Sequence, residues 1–109
     1  MSNPRGGDHT LVSEFANDPD MLELVEAFVS ELPLKVEAFE RTLTSNDLDT
    51  LAKLAHQLKG SAGGYGFPTI TEAASRVERD CKSHQTLDQI NQQVHDLITL
   101  CRQARASEG

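Results

Sequence analysis

Tryptophan is absent from the 109-residue chain, and one Tyr with four Phe makes up its whole aromatic content. A core for such a chain must come from Leu, Ile, Val and Ala. No apolar run approaches the roughly 18 residues that suggest a bilayer span, and the mean hydropathy is -0.42, which excludes a membrane helix. The opening Met1–Thr10 has one Arg among polar and Gly residues and lacks the apolar stretch of a secretory signal, so residues 1–9 read as a flexible lead-in. Cysteine is scarce as well: Cys81 and Cys101 allow at most one bridge, and each falls on an apolar helical stripe where a reduced thiol serves as a small hydrophobe. A cytoplasmic compartment fits. Basic residues number ten against seventeen acidic ones, for a net charge of -7. Nucleic-acid binding needs a dense Lys/Arg face and is excluded, leaving a protein partner or a small ligand.

Strand patterning is missing too, since no β-branched or aromatic run alternates with polar residues. What is present is helical periodicity. A short helix is expected over Thr10–Ala16. Asp18 then caps a long helix with Pro19 at its first position, where the missing N–H is harmless. Leu22, Val25, Val29, Leu32, Val36, Phe39 and Leu43 keep three-and-four spacing, which only a helix places on one face. Because the stripe stays in register across Pro33, a bend is expected there and not a break. Asn46 or Asp47 caps the next helix, whose core positions are Leu51, Leu54, Ala55, Leu58 and Ala62 and which ends at Gly63-Gly64-Tyr65-Gly66. Pro68 opens a third helix, with Thr69 and Glu72 at capping-box spacing, and Thr86 with Gln89 repeats that spacing ahead of a fourth. The last helix runs through Cys101 and Ala104 to a polar tail. Four amphipathic helices with short connections, in a chain sized for one domain, predict an all-α antiparallel up-and-down four-helix bundle over residues 10–106, with the short extra helix at its N-terminus.

On the helical wheel of the second long helix the apolar residues lie within roughly 60° of one line, and His56 stands off it at about 140°. Its neighbours on that face are Ala52 at i−4, Lys59 at i+3, Gly60 at i+4 and Gly63 at i+7. All but Lys59 are small, so the imidazole stands in a clearing. Gly60 inside a helix sacrifices about 1 kcal/mol relative to Ala, a cost that close approach to His56 would explain. On spacing alone, however, a His at a helix edge is an ordinary boundary residue.

The full string Ala55-His56-Gln57-Leu58-Lys59-Gly60-Ser61-Ala62, with Gly66 ten residues past the His, resembles the signature of histidine phosphotransfer (HPt) domains. The likeness extends to Asp18-Pro19-Asp20-Met21, the long helix after it, Asp47 at the entry to the His helix, and Val77-Glu78 on the helix beyond. It covers most of the chain, from about Ser13 to Leu100. The Gly63-Gly64-Tyr65 stretch is more glycine-rich than in many members.

The resemblance implies a phosphoryl carrier and no kinase: His56 as the nucleophile through Nε2, Lys59 as a cation supporting the phosphate charge, Gly60, Gly63 and Ala52 as the steric clearing, and Glu78 as a candidate to orient the ring through Nδ1. With a reference pKa near 6.5, imidazole offers a lone pair at neutral pH without a separate base. No acidic cluster surrounds the motif, so no metal or cofactor is expected on this chain. Mg²⁺ and the exchanging Asp would belong to a receiver domain of a response regulator or hybrid kinase. A phosphate shuttle with one docking face is expected to act as a monomer. A non-transferring helical adaptor that docks on a receiver or kinase by shape is the competing reading, though it needs no combination of His56, Lys59 and Gly60. Other signals lead nowhere: the glycines form neither a GxxxxGK[ST] nor a GxGxxG loop, and His9, His84 and His95 share no metal-ligand spacing with His56.

Overall fold

The computed structural model describes residues 10–107; the expected lead-in over 1–9 lies outside them. Among the described residues there are four helices, α1 (Pro19–Thr44), α2 (Leu48–Gly64), α3 (Pro68–Lys82) and α4 (Leu87–Gln103), and two short strands, β1 (Leu11–Val12) and β2 (Ala104–Arg105). Each helix packs against the next and α4 returns to α1, with the α2–α3 pair in closest association.

Local chemistry sets most boundaries. The Asp18 side chain accepts a hydrogen bond from the backbone N–H of Asp20, with Pro19 opening α1. The helix then runs unbroken through Pro33 for 26 residues. Asp47 caps α2, accepting from both the backbone N–H (3.2 Å) and the hydroxyl (2.7 Å) of Thr50. Those two bonds lower the Asp47 carboxyl below its ordinary range. Thr86 caps α4 by accepting from Gln89 N–H.

At α3 the expected capping box does not form. Pro68 occupies the first turn, which makes the preceding Phe67 the N-cap, and there is no side-chain cap bond. Phe67 is fully buried, and its N–H donates to the Ala62 carbonyl at 2.9 Å; core packing therefore decides this boundary.

The expected helix over Thr10–Ala16 is also corrected. Leu11–Val12 is a strand that pairs in parallel with Ala104–Arg105, and Ser13 N–H continues the connection to the Arg105 carbonyl at 3.1 Å. A seven-residue helix is marginal by itself, while the pairing satisfies backbone groups at both ends of the chain. Accordingly Ala104 lies beyond the end of α4. The segment is also fixed to the α2–α3 turn: Ser13 Oγ donates to the Tyr65 carbonyl at 2.7 Å and Glu14 N–H to the Gly66 carbonyl at 2.9 Å. Gly66, at φ +86°, leaves no room for a Cβ, which would sit 2.6 Å from Ser13 Oγ and 2.9 Å from Glu14 N.

The core is aliphatic with a small aromatic cluster. Val25, Leu32, Val36 and Phe39 of α1 meet Leu51, Ala55, Leu58 and Ala62 of α2, Ile70, Ala73, Ala74 and Val77 of α3, and Ile90, Val94, Leu97 and Ile98 of α4 in one buried body. Phe28 stacks on Tyr65 with ring centroids 5.0 Å apart and on Phe67 at 5.9 Å, joining α1 to the turn that follows the His helix. Cys81 and Cys101 are buried and free. No helix among the described residues is long and apolar enough to cross a membrane.

Candidate functional site

Helix α2 carries His56, Lys59 and Gly60, and α3 carries Glu78 and Lys82. The His56 side chain is 64% exposed, whereas the Glu78 side chain is only 9% exposed. A carboxylate so placed needs partners, and Glu78 has three. Its Oε1 accepts from Lys59 Nζ at 2.9 Å. Its Oε2 accepts from Lys82 Nζ at 2.9 Å and lies 3.0 Å from His56 Nδ1. The Lys59 ammonium first, and the Lys82 ammonium second, hold the Glu78 carboxyl down to about 2 from 4.5, against the opposing effect of burial. Glu78 is therefore ionised at neutral pH.

That ionisation fixes the direction of the bond to the ring. A carboxylate without its proton only accepts, so the Nδ1 at 3.0 Å is the donor. In the neutral imidazole a proton on Nδ1 leaves Nε2 with a free lone pair. No described residue hydrogen-bonds Nε2.

The expected site residues separate into two sets. His56, Lys59 and Glu78 meet directly. Ala52 lies beside them, lining a recess with Asp49, Lys53, His56, Gln57, Glu78 and Lys82. Gly60 borders a second, open recess with His56, Gln57, Ser61, Gly64 and Tyr65, and a Cβ added to it would meet nothing within 4 Å. Gly63 does not join this clearing. A Cβ there would sit 3.3 Å from Thr71 Oγ1, and that hydroxyl donates to the Lys59 carbonyl at 3.0 Å. The missing side chain of Gly63 thus admits a contact from α3. Gly64 lines the second recess in its place.

Lys59 is also more constrained than a free cation one turn from His56 would be, because its ammonium is bound to Glu78 Oε1. Five residues lining the two recesses are not singled out by the sequence: Asp49, Lys53 and Lys82 at the first, and Gly64 and Tyr65 at the second. Lys82 is the one a local rule offers, through its i,i+4 spacing from Glu78. Among the described residues no group of three or more His, Cys, Asp or Glu is placed to hold a metal ion.

A family model described as the Hpt domain matches residues 23–107. Among curated proteins and among solved structures, no match accompanies it. The matched stretch includes α2, α3 and α4 in full, and with them every residue that meets at Glu78. This chain belongs to the Hpt domain family, the phosphocarrier domains of two-component signalling.

Proposed function

We propose that the protein is a phosphorelay intermediate that accepts a phosphoryl group on His56 from a receiver-domain aspartate and passes it to another receiver. The observation that carries this reading is the bond between His56 Nδ1 and the ionised Glu78, because it leaves the lone pair on Nε2, the exposed ring's other nitrogen. In the forward step that pair forms an N–P bond. The P–O bond of the aspartyl phosphate breaks, and its electrons leave with the aspartate carboxylate. The ring gains positive charge while Nδ1 keeps its proton, and Glu78 opposite it stabilises that charge. Return transfer reverses each movement.

Lys59 supports the phosphate charge while sharing its ammonium with Glu78. Gly60 serves the partner. A Cβ added to it would meet no packed neighbour within 4 Å among the described residues, so the space is open to an approaching molecule. The partner receiver supplies the Asp and Mg²⁺, and this chain acts as a cytoplasmic monomer without an ATP site of its own. A shape-only adaptor would have no use for a carboxylate held between a His and two lysines.

The test mixes the protein with a phosphorylated receiver and Mg²⁺ and looks for acid-labile, base-stable phosphate. Label on the wild type and none on His56→Gln is expected. No label from any receiver of the same cell, or equal labelling of the variant, refutes the assignment.

A further inference from the structure

We propose that Lys82 sets the lifetime of the phosphoryl group on His56 by shielding the Glu78 oxygen that faces the ring. The proposal rests on the phosphotransfer reading above and concerns the phosphorylated state. Once Nε2 carries phosphorus, the proton on Nδ1 decides how readily the N–P bond breaks. With that proton in place the ring leaves as neutral imidazole; without it the ring must leave as imidazolate, a far poorer leaving group. In hydrolysis a water oxygen bonds to phosphorus, the N–P electrons return to Nε2, and inorganic phosphate departs. The charges around Nδ1 therefore control a rate.

Glu78 Oε2 draws the proton onto Nδ1 from 3.0 Å, and Lys82 Nζ, 2.9 Å from the same oxygen, works against it. Lys59 sits on the other oxygen. The remaining charged groups lining the recesses at His56 are Asp49 and Lys53 of α2, and no residue of α1 or α4 lines either one. Because Lys82 and the ring share one oxygen, their nitrogens are at most about 6 Å apart. Removing a unit charge at that range, with solvent screening, moves a proton equilibrium by about half a unit to one unit. Where the protonated ring is the minor form, phosphate loss then quickens by about three- to tenfold. Lys82 is 67% exposed, so its replacement leaves the core untouched. Loosening of Glu78 would act in the opposite direction, because a carboxylate that drifts from Nδ1 holds its proton less.

The experiment labels His56 with phosphoramidate, removes the donor and follows the phosphohistidine ³¹P signal from about pH 6 to pH 9 in the wild type, Lys82→Gln, Lys82→Arg, Glu78→Gln and the Glu78→Gln/Lys82→Gln double variant. Lys82→Gln is expected to lose phosphate about three- to tenfold faster at pH 8, with its pH profile displaced upward by half a unit to one unit. Lys82→Arg should restore the wild-type lifetime, and because the Glu78 carboxylate is what holds the exposed Lys82 ammonium near the ring, the Lys82 change should have less than about half its effect in the Glu78→Gln background. An unchanged or longer lifetime in Lys82→Gln, or equal acceleration in both backgrounds, overturns the inference alone. A wild type that takes no label at His56 from phosphoramidate or from any phosphorylated receiver of the same cell overturns the phosphotransfer reading together with it.

Discussion

Replacing Glu78 by Gln keeps the length of the side chain and removes its charge, which isolates the property assigned to it. The wild-type carboxylate can only accept, so its 3.0 Å contact with His56 holds the ring as the Nδ1–H tautomer. A glutamine amide both donates and accepts, and when it donates to Nδ1 the proton moves to Nε2 and the attacking lone pair is lost. A charge-assisted hydrogen bond contributes about 1.5–3 kcal/mol and a neutral one about 0.5–1.5 kcal/mol. The bias toward Nδ1–H therefore weakens by about 1–1.5 kcal/mol, up to roughly tenfold in the tautomer ratio. Single-turnover transfer from a phosphorylated receiver should slow by up to about tenfold, and ¹⁵N shifts of the ring nitrogens above about pH 8 should show the Nε2–H form gaining ground. A variant that keeps both the wild-type ring spectrum and the wild-type rate would show that Glu78 does not orient His56.

Gly60→Leu should raise stability by about 0.5–1 kcal/mol, since helix propensity improves and the added Cβ meets no packed neighbour within 4 Å among the described residues, yet it should abolish transfer; normal transfer would remove the steric account of the clearing. Gly66→Ala should cost about 2–4 kcal/mol in urea unfolding, because a left-handed residue with a Cβ is strained and the collision with Ser13 and Glu14 threatens two hydrogen bonds; an unchanged midpoint would contradict it. Acid should weaken the fold through Glu78. Its folded value of about 2 lies below the ordinary 4.5, so the stabilisation is present above the ordinary value and lost as pH falls toward 2, amounting to about 1 kcal/mol after screening. Glu78→Gln should flatten that part of the pH–stability curve. Burial pushes the Cys101 thiol up to about 12, so a thiol reagent at neutral pH should modify it only on unfolding; rapid labelling of the native protein would place the side chain outside the core.

The four long helices, and the place of His56 on the exposed side of α2, were legible because their signals are local. Asp18-Pro19, Asp47 and Thr86 state their caps in adjacent residues, and the apolar spacing of α1 outlasts Pro33. The failures all involve partners distant in sequence. Nothing within residues 10–16 announces a strand whose other half is Ala104–Arg105. Thr69 has the spacing of a cap, but the burial of Phe67 makes that residue the N-cap and starts α3 at Pro68. The wheel sets Gly63 closer to His56 than Gly64, yet Thr71 arrives from α3 to occupy the Gly63 side. A wheel describes one helix and has no term for what packs against it.

The same point explains what makes the candidate site exact. Glu78 reaches His56 and Lys59 from the neighbouring helix with bonds of 3.0 and 2.9 Å, so the spacing of α2 and α3 sets the ring's tautomer. Ala55 and Ala62 on α2 and Ala73 and Ala74 on α3 are all buried, and small side chains let helices pack closely. Thr71 adds a direct bond from α3 to the backbone of the Lys59 turn. The packing of α2 on α3 is thus part of the electrostatics: a wider interface would carry the Glu78 carboxylate away from Nδ1 before any residue of the motif had changed.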